Sequence, residues 1–291
     1  MGDSAEELKL RRQLEDQQLE TQEALETERR LRRLERRAGG ARGRERLRTH
    51  LIIGDGHAKP SVPNDRFDWL GRMVLELRPD VVINMGDGHD MSSLCFYENY
   101  VNATYKADIA AGRDAYQRVR QPTLTWNQAR KTGRYRPLWV QLGGNHCEGR
   151  ISKLLVEKSE LLGTVSVQDI QVPGWQYVPW LKPITIDGIT YQHQFNSPGS
   201  RRAITGVHPA RLVLLRKHKS VAFGHNHRFG QAQEGDVMSI NCGWYGGADE
   251  HYAGEDNIDL WWRGIVVLRD VSWGLGDIEQ WSVERIRRRW A

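Results

Sequence analysis

The chain has 291 residues, 39% hydrophobic and 27% charged, with a formal net charge of +5. That length supports one large domain or two small ones, and three cysteines without close spacing (Cys95, Cys147, Cys242) argue against a disulfide framework or zinc knuckle and for a reducing cytoplasm. The N-terminus is charged from the start and no long apolar run follows, so neither a signal peptide nor a transmembrane helix is expected.

Residues 4 to 37 lack Gly and Pro and are rich in Glu, Gln, Leu and Arg, a composition that predicts a long helix. Its leucine stripe (Leu8, Leu10, Leu14, Leu19, Leu25, Leu31, Leu34) is thin, as in a solvated helix or weak coiled coil through which the chain forms a homo-oligomer. Charge is polarised: residues 1–28 carry nine acids and three bases, residues 29–48 ten arginines and two acids. Residues 1–48 therefore read as a charged helical arm with a basic linker. It serves either to contact nucleic acid or a partner, or to pair with itself or a second copy.

Leu51-Ile52-Ile53 is an apolar, β-branched strand that stops at Gly54, and Asp55 and His57 follow. Side chains alternate along extended chain, so a carboxylate and an imidazole one residue apart share a side, which is half of a metal site. Phe67, Leu70, Val74 and Leu77 are spaced as a helix from Arg66 to Leu77. A second apolar strand, Val81 to Met85, ends in Gly86-Asp87, with His89 and Asp90 close behind. Carboxyl ends of successive parallel strands share one edge, so Asp87 is expected beside Asp55 and His57. Residues 91–136 form a long insertion with a helix from Tyr105 to Arg120, in which arginines alternate with Tyr97, Tyr100, Tyr105, Tyr116 and Trp126. Such a mixture either binds phosphate backbone and bases or packs its aromatic side chains on the core.

Leu138 to Leu142 is a third strand, ending in Gly143-Gly144-Asn145-His146 before a helix from Ile151 to Leu162. Backbone N–H groups at such a turn favour an anion, and Arg150 can hold a phosphate oxygen. A hairpin turning at Asp187-Gly188 leads to His193, and a strand from Ser220 to Phe223 ends in Gly224-His225-Asn226-His227. His193 ends a strand, whereas its competitors His208 and His218 flank a short helix; His50, His89 and His251 read as core or surface histidines. Tryptophans concentrate between Trp244 and Trp290, and the chain closes on the arginines of a basic helix end.

The ordered set Asp-x-His, Gly-Asp, Gly-Asn-His, His and Gly-His-x-His resembles the calcineurin-like metallophosphoesterase superfamily over residues 49 to 230. The spacing looks most like the phosphoesterases encoded by tailed bacteriophages, whose proteins act in the host cytoplasm. The resemblance implies a four-layer α/β/β/α sandwich over residues 49–291, with a dinuclear metal site at its strand ends and the helical arm in front. It implies that Asp55, His57 and His227 bind one divalent ion and Asn145, His193 and His225 the other, with Asp87 bridging. Mn²⁺ suits such a set best, with Fe, Zn²⁺ or Ni²⁺ as alternatives. Two ions roughly 3.5–4 Å apart polarise a phosphoester and activate a bridging hydroxide. His146 is implied to act on the leaving group rather than to bind metal, with Arg150 contacting substrate and Asp90 supporting from behind. The expected activity is phosphodiester hydrolysis, with nucleic acid as substrate. A phosphomonoesterase or small-nucleotide hydrolase is the alternative, and a metal-stabilised, non-catalytic oligomeric scaffold a third. Cys147 and Glu148 depart from the family pattern, in which an acid directly follows Gly-Asn-His.

Overall fold

The structure is a computed structural model that describes residues 47–95, 103–200, 202–247 and 260–291. The expected N-terminal helix, Tyr97, Tyr100 and His251 lie outside the described residues. Within them the chain is a mixed α/β fold with two sheets and five α-helices.

The apolar runs become strands where expected. β1 (Arg48–Ile53), β2 (Val81–Asn84) and β3 (Leu138–Leu142) lie parallel and side by side, and β4 (Gln176–Val178) extends them. On the other side of β1 come β10 (Gly264–Ser272) and then β11 (Leu275–Ser282), both antiparallel to their neighbours, giving the order β11-β10-β1-β2-β3-β4. The second sheet runs β5-β6-β7-β9-β8. It opens with the hairpin of β5 (Ile184–Ile186) and β6 (Ile189–Tyr191), whose Asp187 takes a left-handed φ of 49°. β7 (Val221–Phe223) and β9 (Val237–Cys242) are parallel to it, and β8 (Phe229–Glu234) closes the far edge.

Three apolar clusters stack the layers. Alternate residues of the first sheet (Leu51, Ile53, Val82, Trp139) meet α1 (Asp65–Leu77), α2 (Tyr105–Gln128) and α5 (Val283–Trp290). The opposite face, with Ile52, Ile83, Val140 and Val266, packs on Ile189, Tyr191, Ala222 and Ile240 of the second sheet. That sheet's outer face, through Val221 and Phe223, takes α4 (Pro209–Lys217). The order is helices, sheet, sheet, helix. Strands buried on both faces read as continuous apolar runs, which is why β1 to β3 stand out in the sequence.

Two helices end more than a turn away from expectation. α2 continues past Arg120 to Gln128, straight through Pro122, because burial of Ala115, Tyr116 and Val119 against α1 and the sheet outweighs the one hydrogen bond that proline cannot donate. The helix after Gly-Asn-His is shorter than expected. Residues 145–149 form one wide turn, and α3 (Arg150–Glu157) ends well before Leu162. No helix among the described residues is long and apolar enough to cross a membrane.

Candidate metal centre

The parallel strands deliver their motifs to one edge. Asp55, Asp87 and Asn145 leave the ends of β1, β2 and β3, and His193, His225 and His227 leave the ends of β6 and β7, so both sheets contribute. The loops carrying Asp55 and Asp87 are laced together: His57 N–H donates to the Asp87 carbonyl (2.8 Å) and Ala58 N–H to Gly88 (2.9 Å).

Each carboxylate is fixed through one oxygen. Asp55 Oδ2 accepts the His225 N–H at 2.9 Å and lies 3.1 Å from His227 Nε2, while Asp55 Oδ1 is buried with no hydrogen-bond partner among the described residues. Asp87 Oδ1 accepts the N–H groups of His146 (2.8 Å) and Cys147 (3.3 Å), and its Oδ2 lies 3.2 Å from His193 Nε2. The turn after Gly144 thus does bind an anion, as expected, but that anion is the Asp87 carboxylate. Glycine is required beside both acids: a Cβ on Gly144 would collide with Asp87 Oδ1, and one on Gly224 with Asp55 Oδ1.

The imidazoles converge on the same space. His193 places Nδ1 2.9 Å from the Met85 carbonyl, which makes Nδ1–H the donor and turns Nε2 toward Asp87 and Asn145. Asn145 Oδ1 sits 2.8 Å from His193 Nε2 and 2.7 Å from His225 Nδ1. Ligand atoms fall into three groups that can each hold an ion: Asp55, His57 and His227; Asp55, Asp87 and His193; and His57, Asp87 and His146. The shared acids chain these groups together.

Four of these side chains stand on left-handed backbone: His57 (φ 42°), Asp87 (47°), His225 (68°) and His227 (55°). For a residue with a Cβ that conformation costs about 1–2 kcal/mol, and it persists where surroundings over-determine it, most often at functional sites. Burial also works against charge. It pushes the His57 pKa well down, aided by His146 and His227, and lowers that of His225 to about 4, aided by His193. Burial opposes ionisation of Asp87 too, but His193 and His146 outweigh it and hold the carboxyl well below its usual range. Asp87 and Asp55 in turn overcome burial at His193 and raise its pKa to about 9. The paired acids thus draw positive charge into the cluster.

A divalent ion fits this donor set. Metal–ligand bonds of about 2.1 Å put neighbouring ligand atoms of an octahedral site about 3 Å apart. The observed spacings of 2.7–3.2 Å among Asn145, His193, His225 and Asp87, and 3.1 Å between Asp55 and His227, match that requirement.

Asp55, His57, Asp87, His193 and His227 are buried, whereas Asn145, His146 and His225 are partly exposed, so the cluster opens on that side. His146 lies there, with Nδ1 2.8 Å from Asp90 Oδ1 and its ring 4.4 Å from that of His57. Asp90 is held ionised against its burial by His146, His57 and Arg150. Arg150 itself donates Nη1 to the carbonyls of Asp90 (2.6 Å) and Met91 (3.1 Å), so it braces this loop from below. His208 and His218 flank α4 and belong to none of the three groups. Cys147 packs under the turn with Met91 and Ile151. The sequence carries no signal for the fastening by Glu148: its Oε2 accepts from Tyr177 Oη and Trp180 N, both at 2.6 Å, and ties the turn to the end of β4. Trp261, 4.2 Å edge-on to His227, and the buried Trp244 close one flank. Their lateness in the sequence was the only signal of this placement.

No protein-family model matches the chain, and no curated protein does. Among solved structures it is similar to a single mutant of Vps29 from Entamoeba histolytica, at 14% identity over 80% of this chain and 99% of that one, with a TM-score of 0.37. Wild-type Vps29 of the same organism, complexed with zinc, gives 14% identity over 81% and 99%, with a TM-score of 0.35. An uncharacterised predicted phosphoesterase from Streptococcus pneumoniae gives 10% identity over 80% and 98%, with a TM-score of 0.32. Likenesses this distant assign no activity.

Proposed function

We propose that the chain is a dinuclear metal-dependent phosphoesterase that hydrolyses phosphodiesters, with nucleic acid as its substrate. The observation that carries this reading is the chained donor set on the strand ends, in which Asp87 stands between two groups of ligands and one side is open. Asp55, His57 and His227 would hold one ion, Asn145, His193 and His225 the other, and Asp87 both. Mixed imidazole, carboxylate and amide donors suit Mn²⁺, with Fe, Zn²⁺ and Ni²⁺ as alternatives. Two such ions supply Lewis-acid activation of a phosphoryl group and of water. The chain's own part is to orient and to move a proton. The buried acids and histidines hold their places through backbone bonds, and Asp90 sets the His146 ring by its Nδ1, leaving Nε2 as the atom that protonates a leaving alkoxide. The substrate assignment draws on the chain's basic character, with a sequence pI of about 9.1. The flanking Trp244 and Trp261 favour a second reading, a phosphomonoesterase or small-nucleotide hydrolase, because they wall the site beside His227.

The test is hydrolysis by Mn²⁺-loaded protein of bis(p-nitrophenyl) phosphate, its monoester counterpart, and labelled single- and double-stranded DNA. Turnover of the diester and DNA is expected, with His146→Ala about 10²–10⁴-fold slower on DNA, whose leaving group is an alkoxide, and both metals retained. Hydrolysis of the monoester alone would replace the phosphodiesterase with the second reading. Loss of metal from His146→Ala would make His146 a ligand, as its grouping with His57 and Asp87 also allows.

A further inference from the structure

We propose that the edge of the larger sheet opposite the metal centre is a docking surface for the phosphate backbone of nucleic acid. Residues 115–147 contain no Asp or Glu but six basic side chains. Arg118 is neutralised by Asp68 (2.6 Å) and Asp114 (2.7 Å). Arg130, Lys131, Arg134 and Arg136 are not: among the described residues none of them, nor Arg78, forms an ion pair.

Their position follows from the topology. Arg78 immediately follows α1 and precedes β2, and Arg130 to Arg136 follow α2 and precede β3. Both segments therefore lie where parallel strands begin, whereas Asp55, Asp87 and Asn145 lie where they end. At about 3.3 Å per residue, strands of four to six residues separate the two edges by roughly 13–20 Å. α5 brings the exposed Arg287 and Arg288 to the same end, since Trp290 Nε1 bonds Glu76 in the last turn of α1 at 2.7 Å.

The surface is built rather than merely charged. Trp126 carries the Arg130 guanidinium 3.2 Å from its ring centroid and that of Arg78 at 4.6 Å. Stacking uses the flat face of a guanidinium and leaves its in-plane N–H donors for phosphate oxygens. The turn between α2 and β3 is pinned by reciprocal bonds of Asn127 with the Tyr135 backbone (2.7 and 2.8 Å) and by Tyr135 Oη donating to the Pro79 carbonyl (2.6 Å). The backbone that carries the cations is thus held in place before a partner arrives. No large exposed apolar side chain lies in the 126–137 turn. A membrane surface or a docked peptide would use one; a polyphosphate backbone needs only charge and N–H donors. The surface takes its purpose from the nucleic-acid reading of the metal centre, tethering polymer so that other phosphodiesters meet the catalytic edge at raised concentration.

The experiment uses the full chain in chelator, so that binding is read without hydrolysis. Fluorescence anisotropy of a labelled oligothymidylate is followed across a potassium chloride series for wild type and for Lys131→Ala/Arg134→Ala/Arg136→Ala, three exposed positions that leave the Trp126 stack intact. Loss of three phosphate contacts should make the slope of log Kd against log salt shallower by about two, and weaken low-salt binding at least about tenfold. With Mn²⁺ restored, turnover of bis(p-nitrophenyl) phosphate should be unchanged. An unaltered affinity and slope, or no DNA binding by wild type, overturns the proposal. So does a variant that loses phosphatidylserine vesicles but keeps DNA. A metal centre without activity, beside a changed slope, would remove the hydrolase reading and leave this surface standing.

Discussion

His89 is sealed against α2, fully buried with its ring 5.6 Å from that of Tyr116, and neither ring nitrogen has a hydrogen-bond partner among the described residues. Burial, aided by the charge of Arg113, pushes its pKa down to about 3. In the unfolded chain it returns to about 6.5. Between those values the unfolded state binds a proton that the native state refuses, so stability is full above about pH 6.5 and falls as the pH drops toward 3, by up to about 1.4 kcal/mol per unit. His89→Leu keeps the volume and removes the proton. In chelator, urea unfolding at pH 7.5 and 5.0 should show the variant losing about 2 kcal/mol less than wild type on acidification. Equal losses would mean that His89 is not the buried neutral group described. At this scale the sequence showed which side chains belong together, because Asp, His and Asn after glycine at strand ends have a chemistry of their own. It did not show how they are held: the Met85 carbonyl behind His193, the backbone N–H groups on Asp87 and the left-handed turns are main-chain features without a residue signature.

The helical layer depends on a close approach between α1 and α2. Pro122 has no N–H, so the Arg118 carbonyl four residues earlier lacks its helical donor, and Gly71 of α1 packs at that point. A Cβ on Gly71 would stand 2.6 Å from Arg118 O and 3.0 Å from Val119 O. Gly71→Ala must therefore push the helices apart and should cost about 1–3 kcal/mol, read as a lower thermal midpoint with no change in metal content. An unchanged midpoint would show that the two helices are loosely coupled. The pairing also explains how α2 passes the Arg120 end that the sequence predicts: a proline normally stops a helix, and only the tertiary contact carries it through. The elements legible in advance were those buried on both faces, such as β1, β2 and β3. β4 and β8 carry no such signal: they are short or half-exposed edge strands, with runs such as Gln-Ala-Gln-Glu in β8 that have no apolar pattern.

The two sheets meet at the candidate metal centre, and this gives the whole molecule a measurable coupling. Asp55, Asp87 and Asn145 belong to the first sheet, and His193, His225 and His227 to the second. Ions held between them would bridge the layers on the same edge where the acids and histidines are buried. Such ions bind the native state, in which the donors are gathered, and bind the unfolded chain far less. Free metal at one hundred times its Kd should then add about 2.7 kcal/mol per site. The prediction is that Mn²⁺ raises the thermal midpoint of wild type and chelator reverses the rise. Asp87 lies 3.2 Å from His193 Nε2, and its other oxygen takes the His146 and Cys147 N–H groups. Asp87→Asn keeps the shape but removes the charge and presents an amide where a bridging oxygen is needed, so it should lose metal and most of the Mn²⁺-dependent rise together. A variant with full metal occupancy and an undiminished rise would place the bridge elsewhere. A wild type indifferent to Mn²⁺ and to chelator would mean that the inter-sheet apolar core alone holds the layers together.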